Sequence, residues 1–164
     1  MAKKAPAASS YPSAGRKAPA ISAPGSNGKT VKLSDFKGKI VVLYFYPKDN
    51  TSGCTTQACG FRDAHTRLKR AGIVVLGVSP DSIASHEKFI DKFDLPFILL
   101  ADEDHKVCEA YGVWQQKSMY GRKYMGVMRT TFIIDQAGKI AHVFEKVKPA
   151  GHEEEVLAWI KENL

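Results

Sequence analysis

Three cysteines, Cys54, Cys59 and Cys108, carry the side chains of this 164-residue sequence that are best suited to redox chemistry. A thiol can act as a nucleophile in its thiolate form, bind a metal ion, or lie unreactive in a hydrophobic core. Residues 1–20 contain no apolar run of the length that a signal peptide requires, so a disulfide framework of the secreted type is not expected. The cysteines therefore predict catalysis, metal binding or plain burial.

Cys54 follows a segment that is typical of a buried β-strand. Residues 40–46 are continuously apolar, β-branched or aromatic, and the run ends at Pro47. Residues 55–70 then repeat apolar side chains at helical spacing. Cys54 is thus predicted at the carboxyl end of a strand and the beginning of a helix, where α/β sheets bind ligands. The helix dipole and the free N–H groups there favour a thiolate, so Cys54 is the predicted nucleophile, with an inert buried thiol as the alternative.

Two residues next to Cys54 could assist such a nucleophile. Gly53 has no side chain and permits close approach of a small ligand to the backbone. Thr51 carries a hydroxyl group that can donate a hydrogen bond to, or accept one from, whatever the sulfur attacks. The segment before Cys54 is therefore a predicted substrate-binding loop.

The spacing of Pro47, Thr51 and Cys54 resembles the motif Pro-x-x-x-Thr-x-x-Cys of peroxiredoxin active sites. The similarity extends over roughly residues 18–164 and is to the bacterioferritin comigratory protein, or peroxiredoxin Q, subfamily. It implies a thiol peroxidase that reduces hydrogen peroxide and organic hydroperoxides. The segments that carry it are residues 43–51, 54–56, 58–63 and 111–114.

The resemblance also implies a role for each residue of the site. Cys54 matches the peroxidatic cysteine, and Arg129 matches the arginine that stabilises the thiolate and polarises the peroxide. A guanidinium stays charged and can donate several hydrogen bonds to the two peroxide oxygens, although Arg129 could also be an ordinary surface residue of a strand. The implied catalytic residues are Cys54, Cys59, Thr51 and Arg129, and the implied substrate-binding residues are Pro47, Thr51, Gly53 and Arg129.

Cys59 lies five residues after Cys54, and this spacing has a mechanical consequence. Positions i and i+5 of an intact α-helix are roughly 8.7 Å apart at Cα, whereas a disulfide needs less than about 7 Å. The resemblance implies that Cys59 resolves the Cys54 sulfenic acid through an intramolecular disulfide, which thioredoxin or a glutaredoxin-like dithiol protein reduces. The first turns of the helix must then unwind in each cycle. Cys108 matches no resolving position and is predicted to be a small buried side chain, with a resolving role as the open alternative.

Two residues depart from the pattern of the resembling subfamily. Ser52 stands where that subfamily usually has proline, and Gln57 stands where it usually has glutamate. Ser52 predicts a more mobile loop before Cys54, and Gln57 removes a negative charge near the beginning of the helix. We expect activity to survive both changes, with an altered rate.

The elements around the loop predict an α/β protein. Strands at 40–46, 73–78 and 97–100 alternate with two helices, which implies parallel pairing. A short helix near 104–111 and an irregular stretch at 113–125 follow.

Two more strands, 130–134 and 140–144, flank the turn sequence of residues 135–138, and a helix from about His152 completes the chain. This is the layout of a thioredoxin-like fold, with a central mixed β-sheet flanked by helices.

The net charge of +7 is concentrated at the beginning of the chain. Residues 1–34 contain six basic and no acidic side chains, so 18 basic residues face 17 acidic ones beyond them. A nucleic-acid partner of the folded body is therefore not expected. Residues 1–17 predict a flexible basic tail rich in Ala, Pro and Ser, and residues 18–164 predict one domain. No apolar run is long enough for a membrane span, so no membrane partner is expected.

Other classes of function fit the sequence less well. Thioredoxin-like copper carriers resemble Cys-x-x-x-Cys and disulfide reductases use Cys-x-x-Cys, and neither spacing is present. We therefore predict no metal, and the lack of nucleotide or phosphate motifs predicts no organic cofactor. A holdase or polyanion-binding role of the basic tail stays open. An intramolecular resolving cysteine removes the need for a dimer and favours a monomer. The expected location is a reducing cytoplasm, while organellar or nuclear targeting by residues 1–17 stays open as well.

Overall fold

The computed structural model describes residues 11–164. The α-helices are α1 (Ser52–Asp63), α2 (His65–Arg70), α3 (Ile83–Phe93), α4 (Lys106–Ala110) and α5 (His152–Asn163). The strands are β1 (Ser22–Pro24), β2 (Thr30–Lys32), β3 (Ile40–Phe45), β4 (Ile73–Ser79), β5 (Ile98–Ala101), β6 (Trp114–Met119), β7 (Arg122–Val127), β8 (Thr130–Ile134) and β9 (Ile140–Phe144). A 3-10 helix spans Leu33–Phe36.

A five-stranded sheet with the order β5-β4-β3-β8-β9 forms the centre of the fold. Strands β3, β4 and β5 pair in parallel, as the alternation of strands and helices predicts. Strand β8 pairs antiparallel with both β3 and β9. The sheet is therefore mixed. The carboxyl ends of the parallel strands β3 and β4 lie side by side at the same end of the sheet.

Strand β3 is buried on both faces because each face of the sheet has its own hydrophobic core. Leu43 and Phe45 pack on one face, together with β8 and the helix α4. Val42 and Tyr44 pack on the other face, against α1, α3 and α5. Helix α1, which carries Cys54, is thus held against the sheet by Phe61, whose side chain is fully buried.

The amino-terminal segment differs from the predicted tail of residues 1–17. Gly15 donates its N–H to the carbonyl oxygen of Ile140 at 2.7 Å, and Arg16 accepts the N–H of Ile140 at 2.8 Å. The ring of Tyr11 packs edge-on against Phe132 with 6.3 Å between ring centroids. Backbone pairing orders residues 11–17 without requiring apolar side chains, which composition could not show. The rest of the predicted tail, residues 1–10, lies outside the described residues.

The amino-terminal segment reaches both margins of the central sheet. Residues 15–18 pair with the turn 138–140 at the beginning of β9. Further along, Ser26 donates its N–H to Leu99 at 2.9 Å and its hydroxyl oxygen accepts the N–H of Leu99 at 3.0 Å. Both outer strands of the sheet, β9 and β5, therefore have part of their open backbone covered.

Two predicted elements differ in detail. The helix predicted at 55–70 begins at Ser52 and is interrupted at Ala64, which separates α1 from α2. The stretch 113–125, expected to be irregular, is the hairpin β6–β7, whose turn at Tyr120 and Gly121 has positive φ at both residues. That turn geometry is typical of two-residue hairpins, but the hairpin side chains show no apolar alternation because most are exposed.

Candidate active site

Cys54 lies in the first turn of α1, directly after the loop that follows β3. Thr51 is the N-cap residue of α1, and its carbonyl oxygen accepts the N–H of Thr55 at 2.8 Å. The side chain of Cys54 is only 1% exposed. N–H groups of a first helical turn lack partners within the helix, and their dipoles favour negative charge. The sulfur therefore lies beside the positive end of the helix dipole.

Arg129 lies directly before β8, the strand that pairs with β3, and its side chain reaches the sulfur of Cys54. Its Nη2 donates to Sγ of Cys54 at 3.4 Å, and its Nη1 donates to Oε1 of Gln57 at 2.7 Å. Gln57 is buried one turn after Cys54 on the same helix. One guanidinium thus bridges the sulfur and an amide oxygen that fixes its orientation. Sequence reasoning missed this use of Gln57, because it treated the residue only as a lost charge.

Gly53 leaves room for that guanidinium. A Cβ atom added at Gly53 would lie 3.1 Å from Nη2 of Arg129 and 3.3 Å from Cγ of Pro149. The sequence predicts that the missing side chain serves a ligand, and the structure shows that Arg129 also occupies the space beside it. Gly53 therefore permits the approach of Arg129 to Cys54.

Pro47 and Thr51 lie in the loop itself. The hydroxyl group of Thr51 donates to the carbonyl oxygen of Lys48 at 2.9 Å, and the residue is exposed. This leaves the hydroxyl oxygen able to accept a hydrogen bond from a bound molecule. Pro47 is half-buried at the beginning of the loop. Contact of either residue with a substrate stays a prediction.

A buried polar network lies next to the loop. The carboxylate of Asp49 accepts hydrogen bonds from the hydroxyl groups of Tyr46 at 2.6 Å and Ser85 at 2.8 Å. It also lies 2.7 Å from Nδ1 of His86, whose Nε2 is 2.8 Å from the carbonyl oxygen of Leu100. Burial alone lowers the pKa of His86, but the hydrogen bond and charge of Asp49 outweigh it, so the pKa lies above its ordinary value. Sequence reasoning assigned no chemical role to the histidines and missed this network.

The same network contains a set of side chains that could suit a metal ion. One donor atom each of Asp49, Asp81 and His86 lie within 4.8 Å of one another. Oδ2 of Asp81 already accepts the N–H of Asp49 at 2.8 Å and the hydroxyl of Ser79 at 2.6 Å. Both ring nitrogens of His86 are likewise engaged. These atoms satisfy one another, so the arrangement is that of a hydrogen-bonded network.

Comparison with known protein families shows to which family the chain belongs. The model of the AhpC/TSA family matches residues 14–143, which is most of the chain and includes both the loop and Arg129. The chain belongs to this family.

Named relatives narrow the assignment to the peroxiredoxin Bcp or Q branch. This peroxiredoxin is 53% identical over 143 residues to the putative peroxiredoxin bcp of Coxiella burnetii, covering 87% of this chain and 95% of the relative. It is 51% identical over 148 residues to peroxiredoxin Bcp of Bacillus subtilis, covering 90% of this chain and 94% of the relative. The subfamily resemblance of the sequence is thereby confirmed.

Solved structures agree with that assignment. A structure of Xanthomonas campestris peroxiredoxin Q superposes with a TM-score of 0.85 at 38% identity, covering 91% of this peroxiredoxin and 97% of that chain. Another, of Xanthomonas campestris bacterioferritin comigratory protein, has a TM-score of 0.85 at 37% identity over 92% and 98% of the two chains. That second protein is described as having alkyl peroxide reduction activity. The predicted thioredoxin-like fold, with its mixed sheet flanked by helices, is confirmed.

The other two cysteines of the peroxiredoxin have different surroundings. All three cysteines are free thiols. Cys59 is half-buried within the intact helix α1. Cys108 is fully buried in α4, where its N–H donates to Asp102 at 2.8 Å, and burial raises the pKa of its thiol. Cys59 is therefore the more accessible partner for Cys54, and Cys108 has the surroundings of an unreactive core residue.

The β6–β7 hairpin of the peroxiredoxin supplies one more charge near the sulfur. Lys117 on β6 is half-buried, and its pKa is lowered by burial and by the positive charge of Arg129, while Cys54 raises it. Lys117 therefore lies within electrostatic reach of both residues. The prediction of an irregular segment at 113–125 left this lysine out of the site.

No helix within residues 11–164 combines the length and apolar character of a membrane span.

Proposed function

We propose that this peroxiredoxin is a thiol-dependent peroxidase in which Cys54 is the nucleophile and Cys59 the resolving cysteine. The hydrogen bond from Arg129 to the sulfur of Cys54, in the first turn of α1, is the observation that carries this proposal. The guanidinium stabilises the thiolate before the reaction and can donate to the peroxide as charge develops on the departing oxygen.

In the first step, the Cys54 thiolate attacks one oxygen of the peroxide. A sulfur–oxygen bond forms and the oxygen–oxygen bond breaks, so that Cys54 is oxidised to a sulfenic acid and the peroxide is reduced. The other oxygen leaves with a proton, as water from hydrogen peroxide or as an alcohol from an organic hydroperoxide. The Xanthomonas campestris relative supports the inclusion of alkyl peroxides.

In the second step, the thiolate of Cys59 attacks the sulfur of the sulfenic acid. A disulfide forms and the sulfenic oxygen leaves as water. Both cysteines belong to α1, which is intact in the reduced protein, so this step requires the helix to unwind locally. An external dithiol protein then reduces the disulfide and is itself oxidised.

The reductant, oligomeric state and location follow from this cycle. We assign the reducing role to thioredoxin or a glutaredoxin-like protein, because such proteins carry an exchangeable dithiol. The peroxidatic Cys54 and the resolving Cys59 lie on one helix, so a monomer can complete the cycle. A reducing compartment such as the cytoplasm would keep all three cysteines as the free thiols of this structure.

Hydrogen peroxide consumption, coupled to thioredoxin, thioredoxin reductase and NADPH, tests the proposal. We expect turnover by the unchanged protein and by Cys108→Ser, and loss of turnover in Cys54→Ser and Cys59→Ser. Cys108→Ser is the matched control because that thiol is buried away from the site. Retained turnover in Cys54→Ser would overturn the mechanism. Loss in Cys108→Ser, with retention in Cys59→Ser, would move the resolving role to α4.

A further inference from the structure

The protonation of His86 can be derived from its hydrogen-bond partners. The carbonyl oxygen of Leu100 can only accept a hydrogen bond, so the Nε2 atom 2.8 Å away must carry a hydrogen. Nδ1 faces the carboxylate of Asp49, which already accepts from two hydroxyl groups. A hydrogen between Nδ1 and Oδ2 is therefore required as well, and the raised pKa of His86 indicates that Nδ1 holds it. His86 is an imidazolium, fully buried, and the adjacent Asp49 carries the balancing charge.

This pair connects helix α3 to the catalytic loop. Asp49 is held through its side chain by Ser85 and His86 of the first turn of α3, and through its N–H by Asp81, the second residue before that helix. At the other end of α3, Lys92 donates to Oδ1 of Asn50 at 3.3 Å. Two successive loop residues are therefore fixed by one helix.

The backbone of the loop needs this support. Asn50 has a φ of 60°, in the left-handed region, which asparagine adopts more readily than most residues and which turns the chain toward α1. Thr51, the next residue, is the N-cap of α1, and Cys54 follows three residues later. The network thus fixes the segment that leads directly into the reactive cysteine.

We propose that Asp49 and His86 are positioning residues, whose buried charged pair holds the loop so that Cys54 stays against Arg129 and α1 refolds in the same place after each cycle. The proposal rests on the proposed peroxidase function. While α1 unwinds to form the disulfide, the loop before it remains anchored to α3, so the helix has a fixed point from which to reform.

The pair gives the reaction a dependence on pH. The charged or titratable groups around His86 are Asp49 from the loop and Asp81 from the segment before α3, while Tyr46, directly after β3, donates to Asp49. Above its raised pKa, His86 loses a proton, and either the bond to Leu100 or the bond to Asp49 is lost. Asp49 then remains buried without its counter-ion, which is costly. The rate of Cys54 oxidation should therefore fall as the pH rises through the pKa of His86.

Two measurements on the same samples test this. Single-turnover oxidation of Cys54 by hydrogen peroxide, without reductant, gives the rate against pH, and ¹⁵N-histidine NMR gives the titration of His86. We expect the falling limb of the rate profile to coincide with the titration of His86. In Asp49→Asn, the falling limb and the titration of His86 should move together to lower pH. In His86→Gln, the falling limb should vanish, and the rate of Cys54 oxidation at neutral pH should be lower by about tenfold or more. His142→Gln is the matched control, since His142 stacks on Trp159 outside the network.

Each outcome separates this inference from the peroxidase proposal. A falling limb that stays in place while the NMR titration of His86 moves in Asp49→Asn would overturn the positioning role. If Asp49→Asn fails to fold, disagreement between the two pH values in the unchanged protein would overturn it equally. If Cys54 of the wild-type protein does not react with peroxide, the proposed function is refuted. Independently of that result, an NMR pKa of His86 below the ordinary value for histidine would refute the charged pair.

Discussion

The guanidinium of Arg129 is held from two sides, by the sulfur of Cys54 and by the amide oxygen of Gln57. A neutral amide orients the guanidinium without forming an ion pair with it. A glutamate, which the resembling subfamily usually has at position 57, would compete with the thiolate for the positive charge. Gln57 therefore leaves more of the charge of Arg129 available to Cys54.

Gly53→Ala tests how closely Arg129 must approach. The new Cβ would lie 3.1 Å from Nη2 of Arg129, so the guanidinium must shift by a few tenths of an ångström from its present position beside the sulfur. We expect the rate constant for Cys54 oxidation by hydrogen peroxide to fall by about tenfold, because an electrostatic donor is misplaced by a small distance. Stopped-flow fluorescence measures this rate. Ser52→Ala, at the exposed neighbouring position, is the control and should keep the rate. An unchanged rate in Gly53→Ala would contradict the close packing.

At the residue scale, the sequence predicted the members of the site that belong to a contiguous motif or to a family pattern. Cys54, Gly53 and Arg129 lie together, and their roles in the reaction stay predictions. The pair of Asp49 and His86 was missed because the two residues are 37 positions apart and meet only through the parallel pairing of β3 and β4. An aspartate after each of two neighbouring strands, at positions 49 and 81, was the available signal.

Helix α1 has to be both firmly packed and able to open. Phe61 anchors its second half in the core, and Gly60 lies against the carboxylate of Glu153 at the beginning of α5, which would have to shift for a larger side chain. Cys54 lies in the first turn of α1, Cys59 lies two residues before Phe61, and the helix stops at Ala64. The disulfide therefore requires the helix to open between Cys54 and Cys59, ahead of the anchored Phe61.

Hydrogen exchange should show this opening directly. On oxidation by one equivalent of peroxide, we expect the amides of residues 55–59 to lose protection, because the Cys54–Cys59 disulfide cannot form within an intact helix. Amides of α3 should stay protected, since that helix anchors the loop. Cys59→Ser, which cannot form this disulfide, is the control and should keep α1 protected. Full protection of residues 55–59 in a protein that mass spectrometry shows to be disulfide-bonded would refute the unwinding mechanism.

At the element scale, the sequence predicted the buried parts better than the exposed ones. Strands β3, β4, β8 and β9 were predicted within one or two residues, because apolar runs mark strands that are covered on both faces. The hairpin β6–β7 escaped prediction because its side chains face solvent, including Tyr120 at 97% exposure. Only the Tyr120–Gly121 turn could have indicated it.

At the scale of the whole molecule, two buried histidines within residues 11–164 have pKa values that are shifted in opposite directions. His86 is raised, so its contribution to stability is present at low pH and is lost as the pH rises through its folded-state pKa. Burial lowers the pKa of His152, and its hydrogen bond to Glu155 only partly offsets this. His152 is therefore neutral when folded, and its contribution is lost as the pH falls below about 6.5, the ordinary value for histidine.

Urea unfolding between pH 5 and pH 9 tests these opposite signs. We expect the free energy of unfolding to decline on both sides of the ordinary histidine pKa, with His86 contributing on the alkaline side and His152 on the acidic side. His152→Gln should reduce the decline toward pH 5 and leave the alkaline side unchanged. An acidic decline of the same slope in His152→Gln would contradict the assignment to that residue.

The covering of β9 by residues 15–18 can be tested by truncation. A chain that begins at residue 18 loses the two backbone bonds to Ile140 and the contact of Tyr11 with Phe132. We expect a lower melting temperature together with concentration-dependent association in sedimentation velocity. A chain that lacks only residues 1–10 is the control, and equal behaviour of the two truncations would contradict the expectation.

Unpaired backbone at the outer strand of a sheet is a template for another chain. The inner end of the basic segment, which composition marks as a mere appendage, occupies part of that template at Ile140, and we expect it to hinder association of one copy of the protein with the next.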